Sequence, residues 1–214
     1  MIIRLALTLA ILLGTYLLIW LLTVGVVMSM VSRARHHHGS ASAEVPGVPN
    51  FANVDGHLWR GAAPSQEGFR RLAAMGVRTV VDLRAERLSP AVLNRPAQAG
   101  LKLVRIPIRD GQAPTPDQVN RFFTVVASEK GTVFVHCGAG VGRTGSMSAA
   151  YLVRTGQATA AEATRRSLAI GPPSLEQIMF MRDLGDGATR PPMAVTAFSR
   201  VADSPRRVWA NLAA

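Results

Sequence analysis

Cysteine is almost absent from the 214 residues: Cys137 stands alone. A single thiol excludes an internal disulfide framework and a multi-cysteine zinc site, and leaves that residue a candidate for chemistry. Lysine is scarce too, limited to Lys102 and Lys130, so the net charge of +11 is carried almost wholly by arginine, whose planar fork grips phosphate and carboxylate. Acids are few, 13 against 24 basic residues, and aromatics make up 6%, yet 48% of the residues are hydrophobic. That composition excludes a disordered tail and supplies a core. An anionic partner fits the charge; so does an arginine-rich surface that serves solubility alone. No nucleic-acid partner is expected.

Charge is wholly missing from Leu5 to Val31, LALTLAILLGTYLLIWLLTVGVVMSMV. As a helix at about 1.5 Å per residue this run spans roughly 40 Å, more than a bilayer's hydrocarbon core requires. Residues 1–35 are read as an N-terminal transmembrane anchor, which makes the membrane a partner through residues 5–31. A signal-peptide core is shorter, about 7 to 15 residues, and the small-residue stretch Ala41-Ser42-Ala43 lies far from the apolar run, behind Arg33, Arg35 and His36-His37-His38. The three histidines have no nearby Cys or second His group to complete a metal site, so they belong with a solvated linker over residues 36–50. Arg4 and the amino terminus nearly balance Arg33 and Arg35, which leaves the side of the membrane open.

The soluble part is expected to be one α/β domain over residues 51–184, about the size of one ordinary domain. VDGHLWRG reads as a short strand with an Asp-Gly turn, and Pro64-Ser65 opens a helix that Gly76 ends. RTVVDLR (78–84), LKLVRIPI (101–108) and GTVFVHC (131–137) are β-branched runs separated by helical stretches near 89–99 and 116–129. Further helices are expected near 143–156, 159–170 and 174–184. This alternation predicts a central sheet with parallel strands flanked by helices, with ligands beyond the strands' carboxyl ends. Residues 185–214, rich in Pro and Arg, read as a basic tail with at most one short helix.

The chemistry gathers in HCGAGVGRTG, His136 to Gly145, where a strand gives way to a helix. A cysteine there lies among helix N–H groups that favour its thiolate. Gly138, Ala139, Gly140, Val141 and Gly142, three glycines among five residues, let successive N–H groups point inward and cradle the oxygens of a phosphoryl group. Arg143 closes the ring with a bidentate fork that gains strength as the group becomes planar in transfer. A nucleotide-type phosphate loop is disfavoured because no Gly-Lys-Ser/Thr follows the glycines.

This loop resembles the signature of the cysteine-dependent protein tyrosine and dual-specificity phosphatases. IPIRDGQAPTPDQVNRF before it, YLVRTGQATAAEA after it and SLEQIMF beyond resemble the small atypical dual-specificity type, over about residues 50–184. The resemblance implies that Cys137 attacks phosphorus to form a cysteinyl-phosphate, that Arg143 binds the phosphate, and that Thr144 hydrogen-bonds the thiolate. It further implies that His136 orients the loop and supports a low thiol pKa, and that no metal or other cofactor is used.

The family protonates the leaving oxygen with a carboxylic acid on a mobile loop. Asp110, after IPIR and at the start of a Gly- and Pro-rich loop, is the candidate, with an ordinary Asp-Gly turn as its alternative. Asp117 is second, in a helix-capping context, and Asp82 reads as structural. Gln177 aligns with a glutamine that places the hydrolytic water in relatives; its alternative is an ordinary surface glutamine. The short soluble region matches the dual-specificity architecture with a shallow site. The neutral Gly138, Ala139 and Val141 point to a phosphorylated protein, phosphotyrosine first, over a phosphoinositide, while an anchor beside an arginine-rich domain keeps the lipid open. A rhodanese-like sulfurtransferase and a catalytically weak phosphoprotein-binding module are the rival classes.

Overall fold

The structure, a computed structural model, describes residues 2–38, 44–185 and 191–202. A long first helix, α1 (Ile2–His38), is followed by the short strands β1 (Ala52–Asn53) and β2 (Leu58–Gly61) and by α2 (Gln66–Ala74). Then strands and helices alternate: β3 (Val77–Arg84), α3 (Pro90–Gln98), β4 (Lys102–Ile108), α4 (Pro116–Ser128) and β5 (Thr132–His136). Helices α5 (Gly142–Arg154), α6 (Ala160–Ile170) and α7 (Leu175–Arg182) come next, with a 3-10 turn at Asp183–Gly185 and α8 (Met193–Ala202). The sheet order is β1-β2-β5-β3-β4, with β1 antiparallel to β2 and every other pair parallel.

Both faces of the sheet are covered, which is why its strands read as near-continuous apolar runs rather than alternating ones. Side chains point to opposite faces in turn. Val133 and Val135 pack with Val81, Leu83 and Ile106 beneath Phe122 and Val126 of α4 and Met147 of α5, while Phe134 and Val80 meet Phe69 and Leu72 of α2 on the other side. Helix starts follow the capping residues: Ser65 accepts from Gly68 N, and Thr115 with Gln118 and Ser174 with Gln177 form capping boxes. Helices α6 and α7 pack on α5 through Ala163, Phe180 and Met181 against Ala149, Ala150 and Leu152. The carboxyl ends of β2, β5, β3 and β4 therefore open at one edge, where Gly61 and Asp82 are both in register with His136.

Helix α1 is long and apolar enough to cross a membrane, with mean hydropathy 2.4 over its apolar window. Leu5 to Leu13 lie exposed along it, whereas Val27, Val31 and Ala34 are buried against Leu168, Ala169 and Ile178. The helix end is tied down as well: Arg35 donates through Nε and Nη2 to the carbonyls of Ala169 and Ile170, at 3.1 and 3.3 Å, satisfying acceptors that the end of α6 leaves open.

Two expectations for the segments around the domain are corrected here. Residues 36–38, expected in a solvated linker, are helical, because the packing of α1 on α6 carries the helix through them. Residues 45–50 are also part of the fold: Val45 and Val48 pair in a bridge, Val48 is buried with Phe51 and Phe69, and Gly47 O accepts from Ser65 N at 2.9 Å. Residues 39–43, including Ala41-Ser42-Ala43, lie outside the described residues. In the expected tail, Ser199 of α8 accepts from Glu176 N at 3.1 Å, while residues 186–190 and 203–214 lie outside the described residues.

Candidate active site

The turn from β5 to α5 places His136 at the strand's last position and Gly142 at the helix's first, so the loop between them carries Cys137 beside the amino end of α5. Three outward carbonyls are held by donors from the surrounding chain: Ala63 N to Gly138 O at 2.9 Å, Asn50 Nδ2 to Ala139 O at 2.9 Å, and Arg60 Nη2 to Gly140 O at 2.7 Å. In a planar trans peptide the N–H lies opposite its C=O, so the amides of Ala139, Gly140 and Val141 face the other way, toward the interior of the loop. That is an anion cradle of backbone donors. Gly140 is required twice over: its φ is +71, and a Cβ there would lie 2.3 Å from Gly61 C.

Cys137 and Arg143 are each 3% exposed. The guanidinium of Arg143 is oriented from three sides, donating through Nη1 to Glu86 Oε2 at 2.8 Å and to Ile108 O at 3.1 Å, and pairing through Nη2 with Asp110 Oδ1 at 3.2 Å. Burial pulls its pKa down, but the Glu86 hydrogen bond and the charges of Cys137, Asp110 and Glu86 outweigh it and carry the group above its ordinary value. Glu86 answers in kind: burial pushes its carboxyl up, and the bond to Arg143 holds it below the usual carboxylate range. The hydroxyl of Thr144 is wholly buried and has no hydrogen-bond partner among the described residues.

His136 is buried between Phe69 and Phe134, and burial pushes its pKa down to about 4. It is therefore neutral at ordinary pH. Its Nδ1 lies 3.1 Å from the Cys137 carbonyl, which only accepts, so Nδ1 carries the proton and fixes that carbonyl. Expected support for the thiolate thus comes from orientation and not from positive charge. Asp82 is buried and chelated by Arg84 through contacts of 2.9 to 3.2 Å, so it stands under the site as part of an ion pair.

Two sequence expectations meet a different environment. Gln177 is fully buried, which overturns the surface alternative: Oε1 accepts from Ser174 N at 3.0 Å and Nε2 donates to Gln112 O at 3.0 Å. Its amide presses on the phosphate loop, since a Cβ on Gly142 would fall 2.2 Å from Oε1. The loop after Asp110, expected to swing, is tethered to the start of α7 by Ser174 Oγ to Gly111 O at 2.6 Å and Ala113 N to Glu176 Oε1 at 3.1 Å. Asp117 lies in the exposed first turn of α4, away from this cluster.

Sequence reasoning missed Glu86 and Arg60. Glu86 follows the carboxyl end of β3, the position where a parallel sheet gathers its site, and that placement is the signal that could have found it. Arg60 is buried on β2 under the loop, 4% exposed, and burial lowers its pKa to about 10 against the opposing pull of Cys137.

A thiol on a backbone-amide cradle, closed by an arginine and flanked by carboxylates, can hold a phosphoryl group beside sulfur. The family described as DSP-PTPase phosphatase fused to NAD+ kinase matches residues 37–183. Chloroplastic NAD kinase 2 of Arabidopsis thaliana is 36% identical over 96 residues, 42% of this chain and 10% of the relative. The human dual specificity protein phosphatase CDC14C is 38% identical over 79 residues, 34% of this chain and 17% of the relative. The chain thus spans between a tenth and a fifth of the length of these relatives. Among solved structures, Tk-PTP in its active form aligns with TM-score 0.56 at 22% identity, over 68% of this chain and all of that one. P. aeruginosa TpbA in complex with pTyr (TM-score 0.54, 19% identity, 82% of this chain, 98% of that one) and PTPMT1 in complex with PI(5)P (0.53, 21%, 70%, 98%) share the fold.

Proposed function

The chain belongs to the DSP-PTPase phosphatase family described as fused to NAD+ kinase, and is a phosphatase of that fold; from this premise we propose that it hydrolyses phosphotyrosine in proteins through a cysteinyl-phosphate intermediate. The observation that carries the reading is the three-sided hold on Arg143, by Glu86, the Ile108 carbonyl and Asp110, at the rim of a cradle whose intervening side chains are uncharged. A single phosphoryl group matches that cradle, whereas a multiply charged head group would gain nothing from Ala139 or Val141.

In the proposed course the substrate's phosphoryl oxygens take the inward amides of residues 139–141 and the fork of Arg143, displacing Asp110 from Nη2 while Glu86 and Ile108 O keep Nη1 in place. The Cys137 thiolate supplies an electron pair to phosphorus, the bond from phosphorus to the tyrosyl oxygen breaks, and Asp110 gives its proton to that oxygen. Water then attacks phosphorus, Asp110 takes up a proton, and the S–P bond breaks to return the thiolate, with inorganic phosphate released. Gln177, engaged at both ends of its amide, acts by holding the acid loop against α5 through Gln112 and Gly142.

A membrane lipid phosphoester is the second reading, favoured by one observation: the apolar helix α1 docks on α6 and on Ile178 of α7, beside the residue that braces the loop. The test is turnover by the full chain in detergent micelles of phosphotyrosine and phosphoserine peptides and of a phosphoinositide, each beside Cys137→Ser. Preference for the tyrosine peptide, lost in the variant, supports the first reading; activity confined to the lipid overturns it in favour of the second.

A further inference from the structure

Helix α1 is covered along one stripe. Tyr16, Trp20, Thr23, Val27, Val31 and Ala34 follow at spacings of three and four, and each is less exposed than the residues beside it. Toward the carboxyl end of α1 the body of the domain covers that stripe through Leu168, Ala169 and Ile178. Nearer the middle of the apolar run the cover is α8. Tyr16 Oη donates to Val201 O at 3.4 Å, and a cavity of about 200 Å³ between α1, α8 and the start of α7 is lined by Trp20, Val24, Met28, Pro172, Leu175 and Ala202. Helix α8, MAVTAFSRVA, turns Ser199 and Ala202 inward and leaves Met193, Phe198 and Val201 exposed. Its one charged residue, Arg200, pairs with Glu176 at 3.4 Å. At the same level Leu17, Leu18, Leu21 and Leu22 stand exposed on α1.

Contiguous apolar surface of this extent marks a contact with a membrane or a protein, and on an uncharged run long enough to cross a bilayer the contact is with acyl chains. A medium that solvates Leu17 to Leu22 also reaches Phe198 and Val201, because α8 lies against those turns. Tyr16 and Trp20 are the amphipathic rings expected where a spanning helix leaves the hydrocarbon. We propose that the outer face of α8 is a second membrane contact, seated among the acyl chains of a phospholipid bilayer beside α1, and that this seat holds the acid loop in place through Glu176. The inference rests on the reading of α1 as a membrane span. The link to the loop is a chain of hydrogen bonds. Ser199 Oγ accepts from Glu176 N at 3.1 Å and Arg200 Nε donates to Glu176 Oε2, while Glu176 Oε1 accepts from Ala113 N at 3.1 Å, three positions after Asp110. Glu176 is 4% exposed, so its carboxylate depends on such partners, and α8 supplies the cation. A helix held by its apolar face in a bilayer keeps Ser199 and Arg200 on Glu176, and the loop is fixed in turn.

The seat is read with a fluorophore on Val201→Cys in the Cys137→Ser background, where the label has a single site, beside the same label on Arg70→Cys, which is exposed on α2. The full chain is placed in phosphatidylcholine vesicles with and without lipid spin-labelled in its acyl chains. The label on α8 is expected to lose most of its fluorescence to the spin-labelled lipid, and the label on α2 little. Equal quenching at both positions, or none on α8, overturns the seat; an α8 label untouched by lipid but quenched by a second copy bearing a quencher gives the face to self-association, and overturns it too. Hydrogen exchange at the Ala113 amide in plain vesicles reads the link. Phe198→Glu and Ser199→Ala are each expected to speed exchange about tenfold, and Phe198→Leu to leave it unchanged. Unchanged exchange in Phe198→Glu or Ser199→Ala overturns the link, as does a Phe198→Leu variant as fast as Phe198→Glu. Neither readout uses a substrate, so a chain that hydrolyses no phosphoester defeats the phosphatase reading alone, and an active chain with an unquenched α8 label defeats this proposal alone.

Discussion

The carboxylate of Glu86 lies 2.8 Å from Nη1 of Arg143, joining the loop after β3 to the first turn of α5 across 57 positions of sequence. Glu86 and the Ile108 carbonyl hold Nη1 of Arg143 while Asp110 pairs with Nη2, so the long side chain is fixed with its fork beside the loop.

Removal of that hold is expected to act on binding and turnover together. Glu86→Ala should lower kcat/KM by roughly tenfold or more, about 1.4 kcal/mol of transition-state stabilisation, with KM rising because the fork is disordered before phosphate arrives. Steady-state kinetics on para-nitrophenyl phosphate check this; unchanged parameters would show that Ile108 O alone suffices.

Asp110 should matter in proportion to how poor the leaving group is. Asp110→Asn is expected to leave para-nitrophenyl phosphate turnover within about tenfold, and to lower turnover of an alkyl phosphoester by about 10²- to 10⁴-fold, the usual range for a positioned general acid. Equal loss on both substrates would return Asp110 to the role of an ion-pair partner of Arg143.

The contact between Gly142 and Gln177 can be tested as a pair. With 2.2 Å between a Cβ and Oε1, Gly142→Ala should cost about 1 to 3 kcal/mol of stability and most of the activity, because the glutamine cannot retreat without giving up Ser174 N and Gln112 O. Adding Gln177→Ala should recover part of both losses. Strict additivity in thermal melts and in turnover would mean the two residues do not interact.

Acid should destabilise the fold through His136. Its pKa falls from 6.5 to about 4 on folding, so the unfolded chain binds the extra proton between those values. The stability that the neutral, buried ring contributes is complete above about pH 6.5 and is lost as pH falls toward 4, about 3 kcal/mol in all. Melting temperature against pH, compared with His136→Asn, should show a steeper acid limb in the wild type; parallel curves would place the titration elsewhere.

Much of this architecture is written in local pattern. The β-branched runs around Val80, Leu103 and Val133 mark three parallel strands, and the spacing from Cys137 to Arg143 marks the loop, because strand propensity and glycine conformation act over a few residues. The partners of Arg143 were not legible, since Glu86 reaches it only once β3 and β5 lie side by side. Arg60 looks like any surface arginine until β2 is paired under the loop. Val48, set among prolines and glycine, reads as linker, and only its contact with Phe51 and Phe69 shows otherwise. The histidines after Arg35 read as a polar collar, yet packing of α1 on α6 makes them helical.

The most direct measurement is trapping of the intermediate. The full chain is mixed in detergent micelles with a phosphotyrosine peptide labelled at phosphorus, quenched in acid within one turnover, and the labelled residue located by mass spectrometry. Phosphate on Cys137, absent in Cys137→Ser and slow to leave in Asp110→Asn, is the result expected. Peptide dephosphorylation that persists in Cys137→Ser, or label on any other residue, would contradict the account.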